Sequence, residues 1–138
     1  MPAEVWASGD LYEPYVGRWS RLVAAEFLSW LAVPAGSRWL DAGCGTGAVS
    51  ATILASTDPA AVTGIDPAPG FVEHARNQVT DSRVRFEVAD ATALPYSDAG
   101  FDAAVSGLVL NFVPDPSRMV AELARVVRPG GMVGGYVW

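Results

Sequence analysis

Three glycines at alternate positions, Gly43, Gly45 and Gly47, lie in the stretch LDAGCGTGAVS, directly behind Asp41. Glycine at this spacing lets backbone come close to a ligand where a side chain would block it. A further acid, Asp66, stands nineteen residues past Gly47, and Asp90 follows in VRFEVADATALP. The glycine pattern with an acid behind the next strand points to a ligand of the adenosine type.

These residues need a frame that brings them to one place. Arg38–Ala42 (RWLDA) reads as a short buried strand running into the glycine loop, and Thr46 onward (TGAVSATILAS) as a helix. Val62–Ile65 is a second strand, stopped by Asp66-Pro67. Gly70–Val79 is a helix with Phe71, Ala75 and Val79 on one face. Val84–Ala89 alternates apolar and polar residues, as a third strand does. DAAVSGLVL, within Ala99–Leu110, is a fourth strand, apolar on both faces and therefore central. Pro116–Val127 is a helix turning Met119, Val120, Leu123 and Val127 inward; Pro129-Gly130-Gly131 breaks it, and MVGGYVW begins a fifth strand. Ahead of all this, Leu22–Leu31 places Val23, Phe27, Trp30 and Leu31 at helical spacing, with Ser20 as N-cap and Pro34-Ala35-Gly36 as terminator. Strands alternating with helices predict a parallel α/β sheet with right-handed crossovers. In such sheets the ligand lies outside the carboxyl ends of the strands, where strand order reverses. The residues to inspect are then the glycine loop, Asp66, Asp90 and Ser106–Asn111.

Composition narrows the ligand. The chain has 138 residues, enough for one domain, is 51% hydrophobic with net charge −6, and contains no lysine, all nine basic residues being arginine. A phosphate-cradling P-loop needs a lysine and is excluded. A dinucleotide fingerprint needs GxGxxG, whereas the spacing here is GxGxG, although Asp66 stands where its acid belongs. Arg76, Arg83 and Arg85 are flanked by acids and read as a solvated rim, so no nucleic-acid partner is expected and a small or lipid-like substrate fits better. No apolar run approaches the ~18 residues of a membrane span, and no signal peptide is visible at the N-terminus. Cys44, the one cysteine, forms no internal disulfide, and a cytoplasmic setting is the default. With His74 as the one histidine, on another helix, Cys44 reads as a small packing residue rather than a nucleophile. No His, Cys or acid spacing matches a metal site.

LDAGCGTG closely resembles the first motif of class I S-adenosylmethionine-dependent methyltransferases. GIDPAPGFVEHAR resembles the second, VADATALPYSDAGFDAAVSG the third and fourth, and LARVVRPGG the helix and turn leading to strand five. Within the class the chain looks most like the branch that includes the ubiquinone/menaquinone-biosynthesis enzymes and many small-molecule methyltransferases. The resemblance implies a Rossmann-like doubly wound sheet of order 3-2-1-4-5, here lacking the usual strands six and seven. It implies S-adenosylmethionine as cofactor and a small-molecule acceptor.

The resemblance also implies roles. Gly43 and Gly45 would line the methionine part of the cofactor, with Cys44 inside the same motif. Asp41 would hold the loop and help orient the amino group. Asp66 would accept both ribose hydroxyls, and Pro67 would pack near the adenine. Asp90 would accept from the adenine amino group while the Ala91 amide faces a ring nitrogen. Ser106 and Leu108 would border the methionine tail through their backbone, and Asn111 would stand near the entering acceptor. Residues 1–35 form a helical cap or lid ahead of the cofactor-binding domain 36–138. In that lid Arg18 would pair with the cofactor carboxylate and Tyr12 or Tyr15 would border the methyl group.

A fragment of a longer enzyme is expected, with strand five as an exposed apolar edge. Val133, Tyr136, Val137 and Trp138 are expected to lack cover, predicting homodimeric edge pairing, strand exchange or a disordered tail. No catalytic base is assigned. A nicotinamide-dependent oxidoreductase and a non-catalytic binding or dimerisation domain are the rival readings.

Overall fold

The computed structural model describes residues 18–137, with side chains from residue 21 onward. Its elements are α1 (Arg18–Leu31), β1 (Arg38–Ala42), α2 (Ala48–Ser56), β2 (Ala61–Asp66), α3 (Pro69–Gln78), β3 (Val84–Val88), β4 (Phe101–Gly107), α4 (Pro116–Val126) and β5 (Val127–Tyr136), with a 3₁₀ turn at Leu110–Phe112. The strands form one parallel sheet of order β3-β2-β1-β4-β5, as expected. Order reverses between β1 and β4, whose carboxyl ends carry the glycine loop and Gly107-Leu108.

Alternation along the central strands sends side chains to two cores. On one face Trp39, Val62, Ala103 and Val105 meet Ala24, Phe27, Leu28 and Leu31 of α1 and Val49, Ile53 and Leu54 of α2. Beside them Val72 and Ala75 of α3 pack with Cys44 and Phe86. On the other face Leu40, Ala42, Ile65 and Ala104 meet Met119, Leu123 and Val126 of α4, together with Leu94 from the β3–β4 connection. Burying both faces is what makes the strands read as apolar runs.

Several helix readings need correction. α1 begins at Arg18, so Ser20 lies inside it rather than capping it. Its inward stripe is Ala24, Phe27, Leu28 and Leu31, the i, i+3, i+4, i+7 pattern of one helix face, whereas Trp30 is 78% exposed and Val23 lies at the surface. In α3 the buried positions are Val72 and Ala75, with Phe71 only half-buried. In α4 Val120 faces outward. α3 and α4 both start with proline, whose fixed φ suits the first helical position. Asp115 caps α4 by accepting the Arg118 amide at 3.1 Å.

Strand five differs most. It starts at Val127, directly from α4, and Pro129-Gly130-Gly131 lies within it as an irregularity: Phe101 pairs with Val127 but Ala103 with Met132. A side chain at Gly131 would meet the Asp102 carbonyl at 2.5 Å, so the bulge requires glycine there. Tyr136 is covered rather than bare, its ring 4.8 Å from that of Phe27 on α1. Val133 and Val137 are exposed, as expected, and Trp138 lies outside the described residues. No helix among the described residues is long and apolar enough to cross a membrane.

Candidate functional site

The glycine loop leaves β1 at Ala42 and enters α2 at Ala48. Its three glycines all have positive φ, and they do three different things. Gly43 (φ 76°) faces Val109, whose methyls would lie 2.6 and 2.7 Å from an added Cβ. Gly47 (φ 94°) lets α2 settle against Val79, Ala75 and Phe86. Gly45 (φ 52°) has no described atom within 4 Å of a Cβ, so its bare backbone opens outward. Of the three, Gly45 is the glycine whose Cβ side is open. The Cβ side of Gly43 is instead taken up by Val109, in the segment after β4.

Asp41 is buried beneath this loop. Its Oδ2 accepts the Ser50 hydroxyl at 2.7 Å, and the Ser50 amide, in the first turn of α2, also donates to the carboxylate. A buried carboxylate at a helix N-terminus is favoured by the amides and dipole there. Oδ1 has no hydrogen-bond partner among the described residues. Burial, reinforced by the nearby Asp66 charge, pushes the Asp41 carboxyl up to about 6, against the two Ser50 bonds that lower it.

Asp66 ends β2 with both oxygens engaged. Oδ2 accepts the Gly45 amide at 3.1 Å and Oδ1 the Ala68 amide at 2.9 Å. Burial raises its carboxyl above the usual range while these amides oppose the rise. The Gly43 and Cys44 amides both donate to Ile65 O at 2.8 Å, and the Ala89 amide donates to Asp66 O at 3.2 Å. The ends of β1, β2 and β3 are thus laced together. The Cys44 thiol packs in the α3 core and is pushed up by burial and by Asp41 and Asp66, which disfavours the thiolate.

Asp90 follows β3 at the surface. Its Oδ1 accepts both the amide (2.9 Å) and the hydroxyl (2.7 Å) of Thr92, which hold its carboxyl below the usual range. Ala91 is half-buried and Pro67 exposed. On β4, Ser106 is fully buried with no hydrogen-bond partner for Oγ among the described residues. Leu108 adopts left-handed φ of 61°, and its amide donates to Tyr136 O at 2.8 Å. That amide serves β5, while the turn it creates aims Val109 at Gly43. Asn111 is exposed in the 3₁₀ turn. Tyr12 and Tyr15 lie outside the described residues, and Arg18 opens α1 with its side chain outside the description.

The structure therefore aligns Asp90, Asp66, the glycine loop with Asp41, and Ser106-Leu108 along one sheet edge, at the ends of β3, β2, β1 and β4. Surface concavities of about 470 Å³ beside β3 and about 620 Å³ between the ends of α1 and α2 do not include the glycine loop. Sequence reading missed Ser50, Val109, Thr92 and the α4 side chains that hold the β3–β4 connection.

A family model described as a methyltransferase domain matches residues 40–134, from the second half of β1 into β5. The chain belongs to this methyltransferase-domain family. It is 42% identical over 105 residues to the 27-O-demethylrifamycin SV methyltransferase of Amycolatopsis mediterranei, covering 73% of this chain and 38% of that protein. It is 35% identical over 114 residues to the ubiquinone/menaquinone biosynthesis C-methyltransferase of Desulfotalea psychrophila, covering 83% of this chain and 45% of that one. The domain thus spans less than half the length of these relatives. Among solved structures it resembles a chain of the complex between the Haloferax volcanii Trm112 methyltransferase activator and a methyltransferase, at TM-score 0.82 and 27% identity, covering 91% of this chain and 55% of that one.

Proposed function

We propose that this methyltransferase domain binds S-adenosylmethionine along the edge Asp90–Asp66–Gly45–Asp41 and serves methyl transfer to a small-molecule acceptor. The observation that carries the cofactor assignment is the occupant of the α2 N-terminus. A dinucleotide would place its pyrophosphate on the amides there, but the Ser50 amide and hydroxyl already hold the chain's own Asp41 carboxylate. A phosphate would meet a buried acid, whereas a ligand with a sulfonium and an ammonium group finds complementary charge. The residues present fit such a ligand. Gly45 offers open backbone, Asp41 Oδ1 is buried without a hydrogen-bond partner among the described residues, and each Asp66 oxygen retains lone-pair capacity beyond its one amide.

In this reading Asp66 accepts the ribose hydroxyls, Asp41 orients the amino group, and Asp90 with the Ala91 amide reads the adenine. Backbone at Gly43–Gly45, Ser106 and Leu108 borders the methionine portion. The bound sulfonium supplies an activated methyl group for in-line displacement, so the protein contributes position and exclusion of water. The first 35 residues serve as a cap, the setting is cytoplasmic, and two copies associate through the β5 edge. Isothermal titration tests the assignment. S-adenosylhomocysteine is expected to bind at micromolar level and NAD not at all; NAD binding without the homocysteine compound would reverse the assignment.

A further inference from the structure

The connection between β3 and β4 carries no helix, yet it presents Asp90 and Ala91. Its shape is held from outside by one face of α4. Arg118, Glu122 and Arg125 stand at i, i+4 and i+7, which places them along one side of a helix. Near the start of α4, Arg118 Nε donates to Thr92 O at 2.9 Å. In the middle, Glu122 Oε1 accepts the Leu94 amide at 2.9 Å. Toward the end, Arg125 donates to Leu94 O at 3.1 Å, Tyr96 O at 2.9 Å and Asp98 Oδ1 at 2.7 Å, while Glu122 braces its guanidinium at 2.6 Å. The Ala99 amide returns a bond to Arg125 O at 3.0 Å. Every one of these contacts holds main chain or the end of the connection, and none touches the glycine loop.

The Arg118 contact differs from the others in what it reaches. Thr92 uses its carbonyl for Arg118 and its amide and hydroxyl for Asp90 Oδ1. One residue thus transmits the position of α4 to the Asp90 carboxylate. Asp115, capping α4 through the Arg118 amide, fixes the other end of the relay. Arg125 and Glu122 anchor the connection as a whole, with Leu94 buried beneath it.

We propose that Arg118 is a positioning residue for ligand recognition, acting through Thr92 to hold Asp90 where it accepts from the exocyclic amino group of a bound adenine. This rests on the cofactor reading above and adds to it the residue that sets base discrimination. Arg118 itself does not contact the ligand. Its substitution is expected to relax the preference for adenine over a base lacking the amino group, more than it weakens binding overall.

The test compares S-adenosylhomocysteine with S-inosylhomocysteine, in which oxygen replaces that amino group. Dissociation constants are measured calorimetrically for the native chain, Arg118→Ala, Arg118→Lys, Asp90→Ala and the double variant Arg118→Ala/Asp90→Ala. The native chain is expected to prefer the adenine compound. Arg118→Ala is expected to cut that preference roughly 3- to 10-fold, the scale of one well-placed hydrogen bond. The double variant is expected to discriminate no less than Asp90→Ala alone, because both changes act on one contact. Arg118→Lys, keeping a donor for Thr92 O, is expected to recover part of the preference. Arg118 is exposed, so its loss leaves the core intact; Thr92→Val, which deletes the hydroxyl bond to Asp90, provides an independent second variant with the same expected direction. An unchanged ratio in Arg118→Ala and Thr92→Val, or a native chain that binds both compounds equally, would overturn the inference while leaving the cofactor reading standing. A native chain that binds neither compound would remove the cofactor reading itself.

Discussion

The Gly45 amide donates to Asp66 Oδ2 at 3.1 Å, joining the loop after β1 to the acid that ends β2. The Ala68 amide takes the other oxygen at 2.9 Å, so the carboxylate is aimed before any ligand arrives. Preorganisation of this kind lowers the ordering cost of binding. Asp66→Ala is expected to reduce S-adenosylhomocysteine affinity by about 100-fold or more, since two charge-assisted hydrogen bonds are worth about 1.5–3 kcal/mol each. Asp66→Asn is expected to fall between, keeping one acceptor oxygen. Calorimetric titration of both variants checks this, and unaltered affinity in Asp66→Ala would confine the residue to bracing the loop.

Asp41 predicts an unusual dependence of stability on pH. Burial holds its carboxyl at about 6 in the folded chain, against an ordinary value of 3.8. Between these values the folded chain binds the proton more tightly than the unfolded chain. The Asp41 contribution is therefore fully present below about pH 4 and is lost as pH rises toward and through 6. The ionised, buried group then costs on the order of 3 kcal/mol. Asp66 is shifted in the same direction, while Asp90, Asp102 and Glu122 are lowered by their partners and act oppositely at lower pH. The comparison that isolates Asp41 is with Asp41→Asn, which retains an acceptor for Ser50. Urea unfolding is expected to show the variant gaining stability relative to the native chain between pH 4.5 and 7.5, while it loses ligand affinity at pH 7.5. A stability difference that does not change with pH would show that Asp41 titrates normally.

The glycines separate by substitution. Gly43→Ala meets both a left-handed backbone and the Val109 methyls, and is expected to cost about 2–4 kcal/mol. Adding Val109→Ala is expected to return the packing part of that loss. Gly45→Ala meets open space, so only backbone strain of about 1–2 kcal/mol applies, yet ligand affinity is expected to fall sharply because the methyl group stands on the open side. Thermal unfolding and ligand titration on the same samples resolve the two effects. Equal stability losses for Gly43→Ala and Gly45→Ala would contradict the division of labour.

The frame was more legible than its details. Buried parallel strands advertise themselves as apolar runs, and Asp66 and Asp90 mark where β2 and β3 stop, so the existence of β1 through β4 is legible in the chain. The face of α1 is less legible, because its buried stripe of Ala24, Phe27, Leu28 and Leu31 includes a small residue while the bulky Trp30 lies outside it. Pro129-Gly130-Gly131 read as a break because it carries breaker residues, but β4 accommodates it as a bulge, a long-range fact that no local window contains. The Asp41–Ser50 bond depends on how the glycine loop turns between β1 and α2, and the Gly43–Val109 contact on the pairing of β1 with β4, so neither is legible in a local window. The Arg118, Glu122 and Arg125 spacing was present as a signal, a polar stripe alongside the apolar face of α4, and passes for a solvated surface until the connection it grips is seen.

The last expectation concerns the sheet edge. β5 is bonded to β4 on one side and stands at the end of the sheet order. Met132 and Val133 on it, and Val137 just past it, are exposed, whereas Tyr136 packs its ring against that of Phe27. An edge strand with free backbone groups and apolar side chains is a template for pairing with another strand. In solution the 138-residue chain is expected to self-associate in a concentration-dependent way. Val133→Lys, placing a charge on that edge, is expected to shift it toward monomer without lowering the melting temperature by more than about 2 °C, because surface substitutions rarely cost more than about 0.5 kcal/mol. Sedimentation equilibrium over a hundredfold concentration range tests this, with the melting curve run on the same variant. A native chain that remains monomeric throughout would show that the β5 edge does not pair with a second copy.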